Sequence, residues 1–171
     1  MPSEAARALI RHAHHGDAPA VAELMTALGY PTTVAEIEQR IAECADSAHT
    51  VVFVAEHDRR IAGVLSFHCI PLFHAAGFLG RITSLVVAPA DRQRGIGRLL
   101  VTASEEFGRA RGCVRFEVTS GDHRPDAHAF YEHLGYQIDC RRFVKGGTMC
   151  TADSMNDAHH PKSGEIREVP A

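Results

Sequence analysis

The run Arg92-Gln93-Arg94-Gly95-Ile96-Gly97 combines the residue types that hold a phosphate group. It follows an apolar stretch, Ile82 to Val87, and opens an amphipathic segment that reaches about Arg111. A helix start leaves roughly four backbone N–H groups unpaired and carries partial positive charge. Glycines at 95 and 97 let the backbone approach a ligand without a Cβ in the way. Arg92, Arg94 and Arg98 add charge and forked donors for phosphate oxygens. A Walker loop is excluded, because no G-x-x-x-x-G-K-[ST] run occurs. A dinucleotide fingerprint fits poorly. Leu100 stands where its third glycine belongs, and the loop lies mid-chain after hairpin-like strands.

The elements that position this loop follow from hydrophobic period and turn residues. Arg7 to His12 reads as a first strand. Asp17 is placed as an N-cap for a helix over Ala18 to Leu28, with Val21, Leu24, Met25 and Leu28 on one face and Gly29 ending it. Thr33 and Glu36 form a capping box for a second helix, with Val34, Ile37 and Ile41 inward. Thr50 to Glu56 and Ile61 to Ile70 read as strands joined by the polar turn His57-Asp58-Arg59-Arg60. Pro71 to Gly80 is a loop, and Ile82 to Val87 is a central strand. The helix after the arginine–glycine loop turns Leu100, Ala103, Phe107 and Ala110 inward. Cys113 to Thr119 alternates, with Val114, Phe116 and Val118 on one face and Arg115, Glu117 and Thr119 on the other. Asp126 to Leu134 is a short helix, for which Asp122 and Asp126 are candidate caps, and Tyr136 to Val144 a last strand. The strand–helix–strand unit 82–119 calls for a parallel crossover, so the sheet is mixed. A domain over residues 1–150 is expected, with a polar tail over 151–171.

The totals narrow the class. At 171 residues, one domain with a sizeable core is expected. A net charge of −3 with few lysines argues against a nucleic-acid binder. No apolar stretch approaches the roughly 20 residues of a membrane span, so no membrane partner is expected. The 5 cysteines are odd in number with no C-x-x-C, which fits free thiols in a reducing cytoplasm. The N-terminus carries Glu4 and Arg7 and shows no secretory leader pattern. Among the 12 histidines, His123, His128 and His133 step by five. Side chains sharing a helix face step by three or four, so no metal site is expected.

The loop resembles the [Q/R]-x-x-G-x-[G/A] signature of the GCN5-related N-acetyltransferases, the GNAT superfamily, with Arg92, Gly95 and Gly97 at its fixed positions. The resemblance extends from Leu85-Val86-Val87 through Pro89 and the loop to Leu99-Leu100, and again over Ala127, Phe130-Tyr131 and Gly135-Tyr136. It implies a GNAT-like α/β fold: a mixed, mostly antiparallel central sheet, helices on both faces and a splayed central strand pair. It implies acetyl-CoA as co-substrate. The pyrophosphate would meet the backbone of Gln93, Arg94, Gly95, Ile96, Gly97 and Arg98. The pantetheine arm would run along Leu85, Val86 and Val87. Tyr131 matches the tyrosine that serves the departing sulfur in many members, and backbone N–H near Val86 or Val87 would hold the carbonyl oxygen.

An amine must be neutral to attack, yet an alkylammonium has a pKa of about 10.4, so a proton acceptor or a water chain ending in one is needed. Many relatives carry a glutamate on the strand before the loop; here Thr83 and Ser84 stand there, and neither hydroxyl is a base. Glu117 on the adjacent strand, His123 in the following loop and a water chain remain open as substitutes. Cys113 reads as a buried small side chain, so direct transfer in a ternary complex is expected rather than a covalent route. The expected acceptor is a primary amine on a small molecule, aminoglycoside-like in type. A peptide amine is the second enzyme reading, and a non-catalytic acyl-CoA-binding regulatory domain is the reading from another class. A homodimer is the default assembly.

Overall fold

The computed structural model describes residues 8–121, 123–139 and 143–146. The chain divides into two units, Met1–Gln137 and Ile138–Ala171. The first unit carries strands β1 (Leu9–His12), β2 (Thr50–His57), β3 (Arg60–Pro71), β4 (Phe78–Val87) and β5 (Cys113–Val118). It also carries helices α1 (Ala18–Leu28), α2 (Val34–Ala45), α3 (Ile96–Arg109) and α4 (Pro125–His133). Of the second unit, residues 138–139 and 143–146 are described and form neither helix nor strand. The tail expected from residue 151 lies outside the described residues, as does Asp122.

The five strands form one sheet in chain order. β1 to β4 pair antiparallel, and β4 with β5 pairs parallel. Two apolar layers follow from strand alternation, since successive side chains point to opposite faces. Phe53, Leu65, Phe67 and Ile82 meet Ile96, Leu100 and Val101 of α3 on one face. Val54, Val64 and Val86 meet Val21 and Leu24 of α1 and Ile37 and Ile41 of α2 on the other. Phe67 and Leu65 are fully buried, and each stabilises the fold by about 2–3 kcal/mol. Phe67 and Phe116 fit only because their neighbours are glycines. A Cβ at Gly80 would lie 2.5 Å from the Phe67 ring and 2.8 Å from Phe116, and one at Gly108 would lie 2.9 and 2.8 Å from them.

Local sequence explains the ends of these elements. The Glu36 N–H donates to Thr33 Oγ1 at 3.2 Å, and the Thr33 N–H donates to Glu36 Oε2 at 2.8 Å. Loss of such a cap costs about 1 kcal/mol. Gly29 closes α1 at φ 101°, with the Tyr30 N–H donating to Met25 O. Asp58 and Arg59 take φ of 50° and 60°, the double left-handed turn that suits a two-residue hairpin.

The structure corrects several expectations. Asp17 does not cap α1 through its side chain. It is buried and accepts from Arg11 Nη1 and Nη2 at 2.7 and 2.8 Å and from the His14 N–H at 2.9 Å. Burial raises its pKa, but these hydrogen bonds and the guanidinium charge bring it below the usual carboxylate value. β4 begins at Phe78, so Gly80 is a strand residue. Val34 is exposed at the start of α2. Val114 is 65% exposed, because the β4–β5 register shifts between Phe78 and Leu79, so Cys113 and Arg115 pair with consecutive residues. α4 carries no side-chain cap, so Asp126 is not one. No strand forms over residues 136–139 or 143–146.

Candidate active site

The arginine–glycine loop is held from below. Asp91, 1% exposed, sits in a 3-10 turn, Pro89–Asp91, between β4 and the loop. Arg60 Nη2 lies 3.1 Å from Asp91 Oδ2, and His57 Nδ1 lies 3.2 Å from Asp91 Oδ1. The Ala88 N–H donates to Ala62 O. The β2–β3 hairpin end therefore fixes the height of the loop. Gln93 adopts φ 61° and Gly95 φ 78°, and α3 starts at Ile96. The first α3 bond runs from the Leu99 N–H to Gly95 O. Among the described residues, none donates a backbone hydrogen bond from Gln93, Arg94, Gly95, Ile96, Gly97 or Arg98. Successive unpaired N–H groups with left-handed residues among them form an anion-binding concavity. Arg92, Arg94 and Arg98 are exposed around it, while the Ile96 side chain is buried, so Ile96 offers only its backbone.

The second part of the site is a split in the sheet. β4 and β5 pair from Phe78↔Cys113 to Ile82↔Val118 and no further. β4 continues to Val87, so the backbone of Thr83 to Val87 faces away from β3 with no strand beside it among the described residues. Leu85 and Val87 pack on the α3 layer and Val86 on the α1–α2 layer. An extended ligand can add here as a strand, using main-chain hydrogen bonds.

α4 covers the loop end of the split. A Cβ on Gly97 would lie 3.2 Å from the Phe130 ring and 3.8 Å from Val87 Cγ2. Gly97 is thus small because Phe130 packs on it; Gly95, with open space around it, serves the left-handed turn. Tyr131 follows Phe130, with their ring centroids 5.1 Å apart, and its own centroid lies 5.7 Å from that of Tyr136. Burial pushes the Tyr131 hydroxyl up to about 12, and the Arg124 charge opposes this weakly. At neutral pH it is an O–H donor.

A polar patch occupies the α1–α2 side of the sheet beyond the apolar layer. The register aligns Thr50, His68, Arg81 and Glu117 across four strands. Arg81 Nη1 donates to Glu117 Oε2 at 3.1 Å, Arg81 Nη2 donates to Thr119 Oγ1 at 2.8 Å, and Arg115 Nε lies 3.1 Å from Glu117 Oε1. Both carboxylate oxygens of Glu117 are therefore engaged. Ser66 pairs with Ser84 and Phe67 with Ile82, which leaves Thr83 as the extra residue of a β-bulge. Its hydroxyl lies 2.7 Å from Ser66 Oγ and 3.0 Å from His68 Nε2, and His68 Nδ1 lies 3.2 Å from Thr50 Oγ1. Desolvation lowers the His68 pKa, so the ring is neutral at pH 7.

The loop residues follow Leu85 to Val87 directly in the chain, and on α4 Tyr131 lies beside Phe130, which packs on Gly97. Glu117 lies on the β5 side of the split. His123 is exposed in the loop before α4. Cys113 is buried with its thiol pushed up to about 12 by burial and by a hydrogen bond with Cys69, which makes it a poor nucleophile. The Asp91 anchor and the His68 cluster were not singled out from sequence. The anchor gives only an aspartate after Pro89. The cluster gives a histidine in a strand whose partners lie 18 and 15 residues away. A cavity of about 290 Å³ lined by His12, Ile41, Cys44, Asp46, Thr50 and Arg111 lies under α2 and shares only Thr50 with the polar patch. Among the described residues, no group of three His, Cys, Asp or Glu side chains is placed to hold a metal ion, and no helix is long and apolar enough to cross a membrane.

Comparison with known proteins places this arrangement. The model of the acetyltransferase (GNAT) family matches residues 18–136. An aminoalkylphosphonate N-acetyltransferase from Salmonella typhimurium is 35% identical over 92 residues, 54% of this chain and 60% of its own length. A glucosamine 6-phosphate N-acetyltransferase from Trypanosoma brucei brucei is 33% identical over 94 residues, 54% of this chain and 62% of its own length. The chain thus spans under two thirds of the length of each of these two relatives. Aminoglycoside N-acetyltransferase AAC(6′)-Iy, solved in complex with CoA, shares the fold at a TM-score of 0.74 and 18% identity, over 88% of this chain and 99% of that one.

Proposed function

The chain belongs to the acetyltransferase (GNAT) family, and we propose that it moves the acetyl group of acetyl-CoA to a primary amine of a small molecule by direct attack in a ternary complex. The observation that carries this reading is the junction of the unpaired N–H groups of residues 93–98 with the open β4 edge of residues 83–87. The first fits a pyrophosphate and the second fits the amide groups of a pantetheine arm, end to end. In this reading Gln93, Arg94, Gly95, Ile96, Gly97 and Arg98 hold the pyrophosphate by backbone, with Arg92, Arg94 and Arg98 supplying charge. Leu85, Val86 and Val87 pair with the arm, and N–H groups near Val86 and Val87 hold the thioester oxygen as the carbon becomes tetrahedral. Tyr131, neutral by burial, donates to the sulfur as the thiolate leaves. Glu117 lies on the acceptor side. Its two guanidinium partners weigh against its taking the amine proton and favour its holding Arg81 and Arg115 in place.

Arg81 and Arg115 each pair with Glu117 on that side. We take the acceptor to be an amine that also carries an oxyanion rather than a polycation such as an aminoglycoside, because phosphonate and phosphate oxygens suit guanidinium donors. The two relatives named for phosphonate- and phosphate-bearing amines agree with that preference. The free thiols Cys69 and Cys113 accord with a reducing cytoplasm, and a homodimer is the assembly to check by light scattering.

The test is thiol release from acetyl-CoA with aminomethylphosphonate, glucosamine 6-phosphate, an aminoglycoside and a lysine peptide as acceptors. Release with one of the anionic amines is expected. Fastest release with the peptide or the aminoglycoside would overturn the acceptor class. CoA binding without release from any amine would replace the enzyme with an acyl-CoA-binding domain.

A further inference from the structure

We propose that His68, acting through the Thr83 hydroxyl, takes the proton from the acceptor amine. This rests on the acetyltransferase reading above. Thr83 is the first β4 residue beyond the last β4–β5 pair, Ile82↔Val118, so it stands where the sheet opens. It is exposed, and the bulge turns its hydroxyl onto the face that carries His68 and Ser66. A hydroxyl cannot itself keep a proton from an ammonium, but it can relay one to a base within hydrogen-bond reach. His68 Nε2 is 3.0 Å away.

The ring is arranged for this task. Nδ1 lies 3.2 Å from Thr50 Oγ1, and an Nδ1–H donated to Thr50 leaves Nε2 as the bare acceptor facing Thr83. Ser66 Oγ lies 2.7 Å from Thr83 Oγ1, and a hydrogen bond donated by Ser66 there leaves the Thr83 O–H free to point at His68. Among the described residues, the charged groups aligned with His68 across the sheet are Arg81, its register partner on β4, and Glu117 beyond it on β5, and these are paired with each other. Burial keeps the ring neutral at pH 7 and ready to accept. No second carboxylate is required.

The step balances as follows. The ammonium N–H bond breaks and its proton goes to Thr83 Oγ1, while the Thr83 hydroxyl proton goes to His68 Nε2. The freed nitrogen lone pair forms the N–C bond at the thioester carbonyl. The C–S bond breaks, the sulfur leaves with its electron pair and takes the Tyr131 hydroxyl proton, the second nitrogen proton restores that hydroxyl, and the imidazolium returns the first proton to solvent. In water this first transfer runs uphill, from an ammonium at about 10.4 to an imidazole at about 6.5. The burial that lowers His68 also lowers an ammonium brought beside it.

The test compares wild type, His68→Gln and Thr83→Val with the panel amine that wild type uses fastest, and measures CoA affinity by calorimetry for each. At pH 7, kcat of His68→Gln is expected to fall by roughly 10²–10³-fold with unchanged CoA affinity. The pH profile separates a proton acceptor from a structural residue. Wild-type kcat/KM should level off above about pH 6.5, where a neutral His68 suffices. For His68→Gln it should climb about tenfold per pH unit from pH 6 to 9, because free amine must then come from solution. Thr83→Val should lose about 10–100-fold in kcat, since it removes the relay while leaving His68. A His68→Gln enzyme within threefold of wild type, or one whose profile parallels wild type, overturns the proposal. If His68→Gln does not fold, Thr83→Val decides, and wild-type kcat in that variant overturns it. Wild type that binds CoA and releases no thiol with any amine overturns the acetyltransferase reading and this inference with it, whereas turnover unaffected by either substitution overturns this inference alone.

Discussion

In the reading proposed above, the two ends of the site are made of different material. The donor end uses main chain: the N–H groups of residues 93–98 and the open edge of β4. Its side chains mostly stay out of the way, as Gly97 does beneath Phe130, or add diffuse charge, as Arg94 and Arg98 do. The acceptor end uses side chains from four strands: Thr50, Ser66 and His68, Thr83 and Arg81, and Glu117. A main-chain device binds a ligand part that never changes, so it can be fixed by the spacing of two glycines. A side-chain device can be re-cut for each acceptor without touching the loop. The difference teaches where variation should be tolerated: at the acceptor end it is expected to change the substrate, and at the donor end to abolish the proposed transfer.

Substitutions can break or sharpen that contrast. The largest effect is expected at the anchor. Asp91→Ala removes the buried carboxylate facing Arg60 and His57, and should cost about 3 kcal/mol of stability by denaturant unfolding. Retained stability would mean that the loop holds its own shape. Gly97→Leu puts a side chain where Phe130 packs, displaces α4 and Tyr131, and should lower kcat/KM by about 10²-fold. A change confined to one acceptor would break the contrast, because this is a donor-end position. Tyr131→Phe should lower kcat by about 30-fold with CoA affinity intact. Because its hydroxyl is pushed up to about 12, it keeps its proton below that pH, and wild type should show no loss of rate from this group up to pH 10. The smallest effect is expected from Arg94→Ala with Arg98→Ala. Both are exposed, so CoA affinity should weaken about tenfold at low salt and by less at high salt.

The same division explains what the sequence disclosed. Helix starts and stops are local, so α1 ended at Gly29 and the Thr33–Glu36 box formed as expected. The phosphate loop is local too, since its glycines and arginines lie within seven residues. The parallel β4–β5 pair follows from crossover geometry, and the helices on both faces accord with what the family resemblance implied. Several misses share one cause: they depended on a partner outside the local segment or on a register slip. Asp17 looks like a cap until Arg11 is beside it. Val114 looks inward until the register shifts by one residue. Asp91 meets Arg60 across 31 residues. His68 has no helical or motif neighbour to announce it; it acquires its role only when β3 lies between Thr50 on β2 and Thr83 on β4. The Thr83–Ser84 pair marked the place where a base was missing without saying what replaced it.

One measurement bears on the donor end before any acceptor is known. The amide 1H–15N spectrum is followed while CoA is titrated into the full chain. The account predicts large shifts at residues 85–87 and 93–98, with smaller ones around Tyr131, and little change at the Thr50–His68 cluster. Shifts centred on the cavity under α2, or no shift at residues 93–98, would contradict it.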